Sequence, residues 1–277
     1  MTQARPRTGV RTGRRRPPDP SPAWRRRLDR YRPGLVDDTL AAMRSMYGVP
    51  SWQRVHDPTS ELILTILSQN SADINAERAF DALRTRWPSQ ASDTPATKVN
   101  RPGWGGLGIG QAPPPDWTAV AGASPSELIE VIRPGGLAPQ KAPTIHAALH
   151  RIHAERGDFS LEFLGEMEPR AALDWLMSIP GIGRKTASVV LLFSFGMPLM
   201  PVDRHVERVS KRIGLLPPKA TALQAHDYWL ALLEPGRAHE AHVNLITHGR
   251  QTCHALRPAC QRCTIASRCR FVDRRAP

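Results

Sequence analysis

The sequence lacks any apolar stretch long enough to cross a membrane. Its longest such stretch, residues 188–202, is 15 residues long and is broken by a glycine and two prolines, whereas a membrane span needs about 20 unbroken apolar residues. No apolar segment follows the N-terminal arginines either, which argues against a secretory signal. With 277 residues, 40% of them apolar, we expect a soluble protein of one large or two ordinary domains with a buried core.

Acidic residues are scarce at the N-terminus. The chain carries 38 Lys and Arg against 25 Asp and Glu, a formal net charge of +13. Residues 1–32 contain eleven arginines and two aspartates, so +9 of this charge lies there and +4 remains for residues 33–277. Such a basic segment favours an anionic partner such as a nucleic-acid backbone, although a solvated tail explains it equally well. We expect residues 1–33 to form a disordered Arg/Pro-rich arm, because they show no periodic apolar pattern.

Cysteine is confined to the C-terminus, where four residues are separated by spacings of six, two and five. Without a secretory signal, a reducing compartment disfavours two disulfides and leaves a metal site. One Cys-x2-Cys pair flanked by longer loops departs from the two-pair pattern of zinc ribbons. Four thiolates suit either zinc or an iron–sulfur cube, and both remain open. The four candidate ligands are Cys253, Cys260, Cys263 and Cys269.

Most of the remaining chain has the apolar periodicity of helices. Asp57 and the residues that follow it predict a helix start, with a buried stripe through Leu62 and Ile66. No segment shows the sustained alternation of a half-buried strand. Residues 88–125 interrupt the helical pattern with many glycines and prolines. They predict an insertion, within which the glycine- and proline-rich stretch 101–115 is expected to form a flexible surface loop, with a phosphate-binding nest as the open alternative.

Residues 173–195 predict two helices joined by a Gly-Ile-Gly hairpin, since helical spacing stops at Pro180 and resumes after Gly183. Glycines permit the positive φ of a tight turn, and the second helix begins with unpaired N–H groups. Such a helix start is a seat for an anion, for example a DNA phosphate. Ile182, between the two glycines, is expected to point into the core.

Two cations stand in the first turn of the second helix, Arg184 and Lys185. The helix dipole disfavours positive charge there by roughly 0.3–1 kcal/mol for each residue. One interpretation is that both cations bind phosphate. The other is that the helix terminus and partial burial lower the pKa of Lys185, which gives a neutral, nucleophilic amine. Asp203, just before another helix, is the candidate proton acceptor or stabiliser of positive charge, although a plain N-cap role also explains it.

The motifs together resemble endonuclease III, one of the helix-hairpin-helix DNA glycosylases. The resemblance covers about residues 35–272, apart from the insertion. The motifs that carry the resemblance are residues 179–187, Val202-Asp203-Arg204-His205, His248-Gly249-Arg250 and the cysteine spacing. A weaker match is Leu137-x3-Lys141-Ala142.

The resemblance implies an all-α fold of two lobes. Residues 61–200 would form a helical barrel lobe that carries the hairpin at 179–187. Residues 34–60 and 201–277 would form the second lobe around a [4Fe-4S] cluster at 253–269, with the four cysteines as its ligands.

The resemblance also implies a base-excision-repair glycosylase with AP lyase activity. Such an enzyme removes damaged bases, typically oxidised pyrimidines, and cuts the abasic strand by β-elimination. Lys185 matches the catalytic lysine and Asp203 the catalytic aspartate. The expected partner is double-stranded DNA with damaged bases or abasic sites, bound by a monomer in the bacterial cytoplasm at the nucleoid, without a membrane partner. A monofunctional mismatch glycosylase, and a non-catalytic DNA-binding iron–sulfur module, are the alternatives left open.

Several further DNA contacts are predicted. The hairpin would contribute three residues and the loop between the first two cysteines one. A polar residue in the early helix usually fills the gap left by the extruded nucleotide, and this chain has asparagine where the family usually has glutamine. That leaves open which of two neighbours fills the gap. The predicted contacts are Gly181, Gly183, Arg184, Arg257 and either Gln69 or Asn70.

Overall fold

The computed structural model describes residues 19–89, 97–99, 109–111 and 113–273. These residues fold mainly into α-helices, as the sequence predicts. In chain order the helices are α1 Ser21–Tyr31, α2 Leu35–Tyr47, α3 Pro58–Leu67, α4 Asp73–Arg86, α5 Trp117–Gly122, α6 Pro125–Val131, α7 Ala138–Arg156, α8 Pro169–Met177, α9 Arg184–Phe195, α10 Arg204–Ile213, α11 Ala222–Leu232, α12 Ala238–Gln251 and α13 Arg270–Asp273. Within the described ranges, no helix is both long and apolar enough to cross a membrane.

The predicted insertion contains more regular structure than a loop. Strands β1 Thr97–Val99 and β2 Ile109–Gln111 pair antiparallel, and α5 also lies within residues 88–125. Helix α5 forms because the Asp116 carboxylate accepts hydrogen bonds from two backbone N–H groups of its first turn. Trp117 is buried beside Phe80. The expectation of a loop over 101–115 is therefore wrong for β2, and the glycine run at 101–108 lies outside the described residues.

The first lobe packs around α3, which is buried along its whole length. Asp57 caps this helix by accepting bonds from the N–H groups of Thr59 and Ser60. Apolar residues of α4 to α9 surround α3 and form one continuous core drawn from residues 62–199. Ile182 belongs to this core and is 5% exposed, as expected for the residue between the hairpin glycines. The core therefore anchors the hairpin from below.

The second lobe brings together distant parts of the chain. Its core takes side chains from residues 28–43 and from residues 200–269. Helix α10 packs on α12, and α12 packs on α2. Because helices from both parts of the chain share this core, it fixes α10 and α12 beside the first lobe.

Helix α1 corrects the prediction of a disordered arm over residues 1–33. Leu28 is buried in the second core, and the Trp24 indole donates a 2.7 Å hydrogen bond to the carbonyl of Leu215. Arg25 donates to the carbonyls of Ala231 and Leu232 at the C-terminal end of α11, where a helix dipole favours a cation. These contacts stabilise a helix whose own sequence is rich in arginine. Residues 1–18 lie outside the described residues.

Candidate active site

A pocket of about 500 Å³ opens where the two lobes meet, and we call it the interlobe pocket. Its walls come from the α3–α4 turn, the hairpin with α9, the start of α10 and one face of α12. Lys185 and Asp203 both line it. The fold therefore brings together the two candidate catalytic residues, which lie 18 positions apart in the sequence.

The hairpin requires glycine at position 181, whereas at position 183 there is room for a side chain. Gly181 has a φ of +86°, and a Cβ there would come within 2.3 Å of the Thr144 hydroxyl oxygen, so a larger residue would have to displace Thr144. Gly183 has no atom within 4 Å of its Cβ position, and α9 starts there without a side-chain cap. The pocket therefore has backbone N–H groups at the start of α9 that can bind an anion.

Arg184 and Lys185 point in different directions. Arg184 is buried, and its guanidinium lies 2.5 Å from the Asp227 carboxylate of α11. Its side chain is only 7% exposed, so it is unavailable for the DNA contact expected from the sequence. The ion pair instead explains how a cation is tolerated in the first turn of α9. Lys185, one residue later, is half-buried and faces the interlobe pocket.

Asp203 is both an N-cap and a pocket residue. Its Oδ1 accepts hydrogen bonds of 2.8 Å from the backbone N–H groups of His205 and Val206, the second and third residues of α10. Two bonds to one oxygen fix the plane of the carboxylate. The structural and chemical roles expected from the sequence are therefore compatible, because capping sets the direction of the carboxylate.

Two buried histidines hold the segment that leads to Asp203. His226 of α11 bonds the carbonyl of Met200 through Nδ1 at 2.9 Å, and His242 of α12 bonds the carbonyl of Pro201 in the same way at 3.0 Å. Burial lowers the pKa of each imidazole to about 4. Both histidines are therefore neutral at pH 7. Neither was singled out in the sequence, because each bonds a carbonyl many residues away.

The two low histidine pKa values predict acid sensitivity. Each unfolded histidine takes up a proton near pH 6.5, whereas in the folded protein the pKa of His226 and of His242 is about 4. The unfolded state binds more protons between these values, so stability falls as the pH drops. We expect a loss on the order of 2 kcal/mol for each histidine between pH 7 and pH 5. Urea titrations at both pH values measure the free energy of unfolding. The His226→Gln variant should show a smaller pH dependence. Equal stability of the wild-type protein at both pH values would contradict the low histidine pKa values.

The α3–α4 turn forms the opposite wall and contains the two gap-filling candidates. The Gln69 amide donates a 3.1 Å hydrogen bond to the Thr186 hydroxyl of α9. Asn70 is exposed and has a left-handed φ of +50°, a conformation that asparagine tolerates better than most residues. The amide of Gln69 thus joins two walls of the pocket, while the side chain of Asn70 is accessible from outside.

Lys141 secures the same wall from behind. Its ammonium donates to the carbonyl of Leu67, at the end of α3, at 2.6 Å and to that of Gly135 at 2.8 Å. Burial lowers the pKa of Lys141 to about 8. Lys141 is 3% exposed and is not among the residues that line the interlobe pocket. The weaker sequence match around this lysine therefore marks a residue that anchors the C-terminal end of α3.

The His248-Gly249-Arg250 motif joins the pocket to the cysteine site. Arg250 pairs with Asp73, the first residue of α4, at 2.8 Å, which links the lobes at the pocket wall. A Cβ at Gly249 would come within 2.8 Å of the Cβ of His205. His248 Nδ1 lies 3.0 Å from the Tyr47 hydroxyl, and its Nε2 lies 3.6 Å from the Cys263 sulfur. Each residue of the motif therefore has a separate packing role.

The four cysteines are free thiols that line one cavity in the second lobe. Burial raises the pKa of Cys263 and of Cys269. Two nitrogen atoms approach the sulfurs: the Arg212 guanidinium donates to Cys253 at 3.4 Å, and His248 Nε2 lies 3.6 Å from the sulfur of Cys263. Among the residues that the structure describes, no group of three or more His, Cys, Asp and Glu is arranged to hold a single metal ion. The site nevertheless offers four sulfur donors around one cavity.

The loop between the first two cysteines is well exposed. Leu256 is 85% exposed, and the adjacent Arg257 is exposed with a left-handed φ of +49°. Arg257 is thus accessible, as the DNA contact predicted for it requires. Arg204, at the start of α10, is also exposed and lines the interlobe pocket.

Comparison with known proteins identifies relatives over most of the chain. Residues 63–235 match the model of the HhH-GPD superfamily of base excision DNA repair proteins, a range that includes the hairpin, Lys185 and Asp203. Endonuclease III of Bacillus subtilis is 36% identical over 162 residues, which cover 58% of this chain and 68% of the relative. Endonuclease III of Thermotoga maritima is 29% identical over 223 residues, which cover 79% and 85%. The transcriptional activator DEMETER of Arabidopsis thaliana is 34% identical over 172 residues, but these cover only 9% of its length.

Solved structures of DNA glycosylases are similar in fold to this chain. A trapped covalent intermediate of endonuclease III with DNA matches this chain with a TM-score of 0.66 and 26% identity, covering 87% of this chain and 96% of that one. A thermostable thymine-DNA glycosylase matches with a TM-score of 0.61 at 17% identity, covering 92% of this chain. The second likeness concerns the fold alone.

Proposed function

Because this chain belongs to the endonuclease III family, within the HhH-GPD superfamily of base excision DNA repair proteins, we propose that it is a bifunctional DNA glycosylase and AP lyase. It removes damaged bases, in the first place oxidised pyrimidines, from double-stranded DNA. The observation that carries this proposal is that Lys185 and Asp203 line one pocket beside the uncapped start of α9.

The pocket supports a sequence of bond changes on an extruded nucleotide. The Lys185 amine forms a bond to C1′ while the N-glycosidic bond breaks and its electron pair leaves with the base, which takes up a proton. Loss of the ring oxygen bond then gives a Schiff base between Lys185 and the sugar. The Schiff base acidifies the proton on C2′. When a base removes that proton, a double bond forms between C2′ and C3′, the C3′–O bond breaks, and the 3′ phosphate leaves. Water finally hydrolyses the Schiff base and frees the lysine.

The Asp203 carboxylate can act in this reaction in either of two ways. Its carboxylate takes the proton that the Lys185 ammonium must lose before attack, or it stabilises the positive charge that develops on the sugar. The capping bonds to Oδ1 keep the group oriented without movement during the reaction. The exposed Arg204 and the uncapped N–H groups of α9 would bind phosphates on either side of the extruded nucleotide.

Two alternatives are distinguished by Lys185. A monofunctional glycosylase needs the aspartate and the hairpin but no nucleophilic amine, and a non-catalytic DNA-binding module needs neither residue in a pocket. The position of Lys185 in the interlobe pocket favours the bifunctional enzyme.

The test is to incubate the full chain, in EDTA at neutral pH, with duplexes that each contain one defined pyrimidine lesion or one abasic site. Base release with strand cleavage is expected; release without cleavage identifies a monofunctional enzyme, and binding without either identifies a non-catalytic module.

We also propose a [4Fe-4S] cluster at the cysteine cavity. Four free thiols around one cavity are the donor set that such a cluster requires. Cys253, Cys260, Cys263 and Cys269 would hold it, and Arg212 would hydrogen-bond one of the sulfurs. With such a cluster bound, the four cysteines would be tied together and would fix the loop that contains Arg257.

Replacement of one ligand tests the cluster. Cys260→Ser should yield a colourless protein with little iron and a lower melting temperature, whereas the wild-type protein should be brown with about four iron atoms per chain. Iron and zinc analysis of both proteins provides the measurement. A colourless wild-type protein that contains one zinc ion would contradict the cluster.

The gap-filling residue is proposed to be Asn70, because the amide of Gln69 is bonded to Thr186. Asn70→Gly removes the side chain while glycine accepts the positive φ. We expect base release from a fully paired duplex to fall by about tenfold, and to fall less when the target base is already unpaired. Single-turnover rates on the two duplexes, with Gln69→Ala as the matched variant, measure this. A larger effect of Gln69→Ala on the paired duplex would assign the role to Gln69.

A further inference from the structure

His242 occupies the wall of the interlobe pocket formed by α12. It is 4% exposed, and its ring packs edge-on against Phe193, with centroids 5.8 Å apart. Ile246, one turn later on the same helix, lines the pocket as well. His242 is therefore a polar side chain set between apolar pocket residues. Nothing in the bond changes described above uses it.

The hydrogen bond to Pro201 fixes which nitrogen of His242 carries the proton. A backbone carbonyl only accepts hydrogen bonds, so Nδ1 must donate to Pro201. The imidazole is neutral at pH 7 because burial lowers its pKa to about 4. A neutral imidazole has one proton, so Nε2 carries a lone pair and is the atom left to meet a ligand in the pocket.

The position of His242 relative to Lys185 suggests which part of a nucleotide it meets. Lys185, Val189 and Phe193 are spaced four residues apart on α9 and all line the pocket. This face rises about 12 Å along the helix axis from Lys185 to Phe193, and His242 packs on Phe193. A nucleotide held with C1′ at Lys185 can extend its base along this face, where Val189, Phe193 and Ile246 offer apolar contact to the flat ring.

We propose that His242 contacts the extruded base and that its Nε2 accepts a hydrogen bond from an N–H group on the edge of that base. The inference rests on the proposed glycosylase function and names a specificity determinant for it. The chemical class recognised is a pyrimidine with an N–H donor, either the exocyclic amine of a cytosine derivative or the ring N–H of a thymine or uracil derivative. A site built to bond a donor rejects bases that lack one, because Nε2 is then left buried without a partner.

The test separates the two nitrogens of the ring. Asn has an amide nitrogen near the place of Nδ1, so His242→Asn retains a donor for the Pro201 carbonyl and loses the acceptor at Nε2. Gln reaches further and places an amide oxygen near Nε2, so His242→Gln restores an acceptor. Single-turnover rates are measured for base release from the pyrimidine-lesion duplex that the wild-type protein excises fastest, and for strand cleavage at a preformed abasic site, which has no base.

For His242→Asn we expect base release to fall by about tenfold or more, while cleavage of the abasic strand stays within about twofold of the wild-type rate. His242→Gln should recover much of the base release. The control is His150→Asn, since His150 also bonds a backbone carbonyl, that of Ala121, but is exposed and does not line the pocket. Both of its rates should match those of the wild type.

Three results would overturn the proposal: an equal fall of both rates in His242→Asn, no fall in either, or a His242→Gln protein no better than His242→Asn. An equal fall would assign His242 to positioning Asp203 instead. Melting temperatures of all variants report whether folding is preserved. If His242→Asn is destabilised, the comparison rests on His242→Gln. For that variant, the rate of base release and the rate of abasic-strand cleavage must each fall by less than about twofold. Failure of the wild-type protein to cleave abasic DNA is a separate result that contradicts the lyase function itself.

Discussion

Lys185→Ala should abolish strand cleavage at an abasic site and the covalent adduct that borohydride traps on abasic DNA. The variant lacks the only amine assigned to attack C1′, so the single-turnover cleavage rate should fall by about a thousandfold or more. Binding should change little, because the uncapped N–H groups of α9 and the exposed Arg204 remain. Gel mobility shift and trapping on the same abasic duplex measure both quantities.

The matched control is Lys219→Ala. Lys219 is an exposed lysine that does not line the interlobe pocket, so its removal lowers the net charge by the same amount without touching the site. We expect this variant to trap as efficiently as the wild type. Equal trapping by Lys185→Ala and by the wild-type protein would assign the nucleophile to another amine.

Asp203→Asn should slow base release by about a hundredfold or more, because it removes the carboxylate that assists the amine or stabilises the sugar cation. The fold should be unaffected. Asparagine is as good an N-cap as aspartate, and its amide oxygen can accept the two bonds that Oδ1 now accepts from His205 and Val206. Single-turnover base release and thermal melting separate the chemical role from the capping role.

Asp116→Asn is the control for this substitution. Asp116 also caps a helix by accepting bonds from two backbone N–H groups, but it does not line the interlobe pocket. Its variant should release the base at the wild-type rate. If Asp203→Asn retained the wild-type rate while melting at a lower temperature, Asp203 would be a cap and nothing more.

The hairpin could be predicted from the sequence because its determinants are local. Gly181 adopts the positive φ of the turn, Gly183 is the N-cap of α9, and Ile182 enters the core. The capping position of Asp203 was predictable for the same reason, since a cap bonds its own helix. Local rules of this kind need only a few consecutive residues.

The roles of Arg184, His226 and His242 could not be read from the sequence. The partner of Arg184 is Asp227, 43 residues later and on another helix, so the sequence showed only an unfavourable cation in a first turn. His226 and His242 bond backbone carbonyls 26 and 41 positions away. Carbonyls occur at every residue and leave no pattern that would mark them as partners.

Helix α1 was missed for a different reason. Its apolar residues, Trp24, Leu28 and Tyr31, form a narrow stripe among four arginines, and Tyr31 is in fact 68% exposed. The helix is stabilised by contacts of Trp24 and Arg25 with carbonyls of the second lobe. Amphipathic periodicity detects helices that bury an apolar face, and this one depends more on side-chain hydrogen bonds.

Peptide mapping of the borohydride-reduced adduct on abasic DNA tests the central claim most directly. The chain offers a second lysine near the pocket wall, Lys141, whose pKa is lowered to about 8 by burial but whose ammonium is bonded to two carbonyls. After nuclease and protease digestion, mass spectrometry should find the reduced sugar on the peptide that contains Lys185. A modification at Lys141, at the N-terminal amine or at any other lysine would contradict the proposed site.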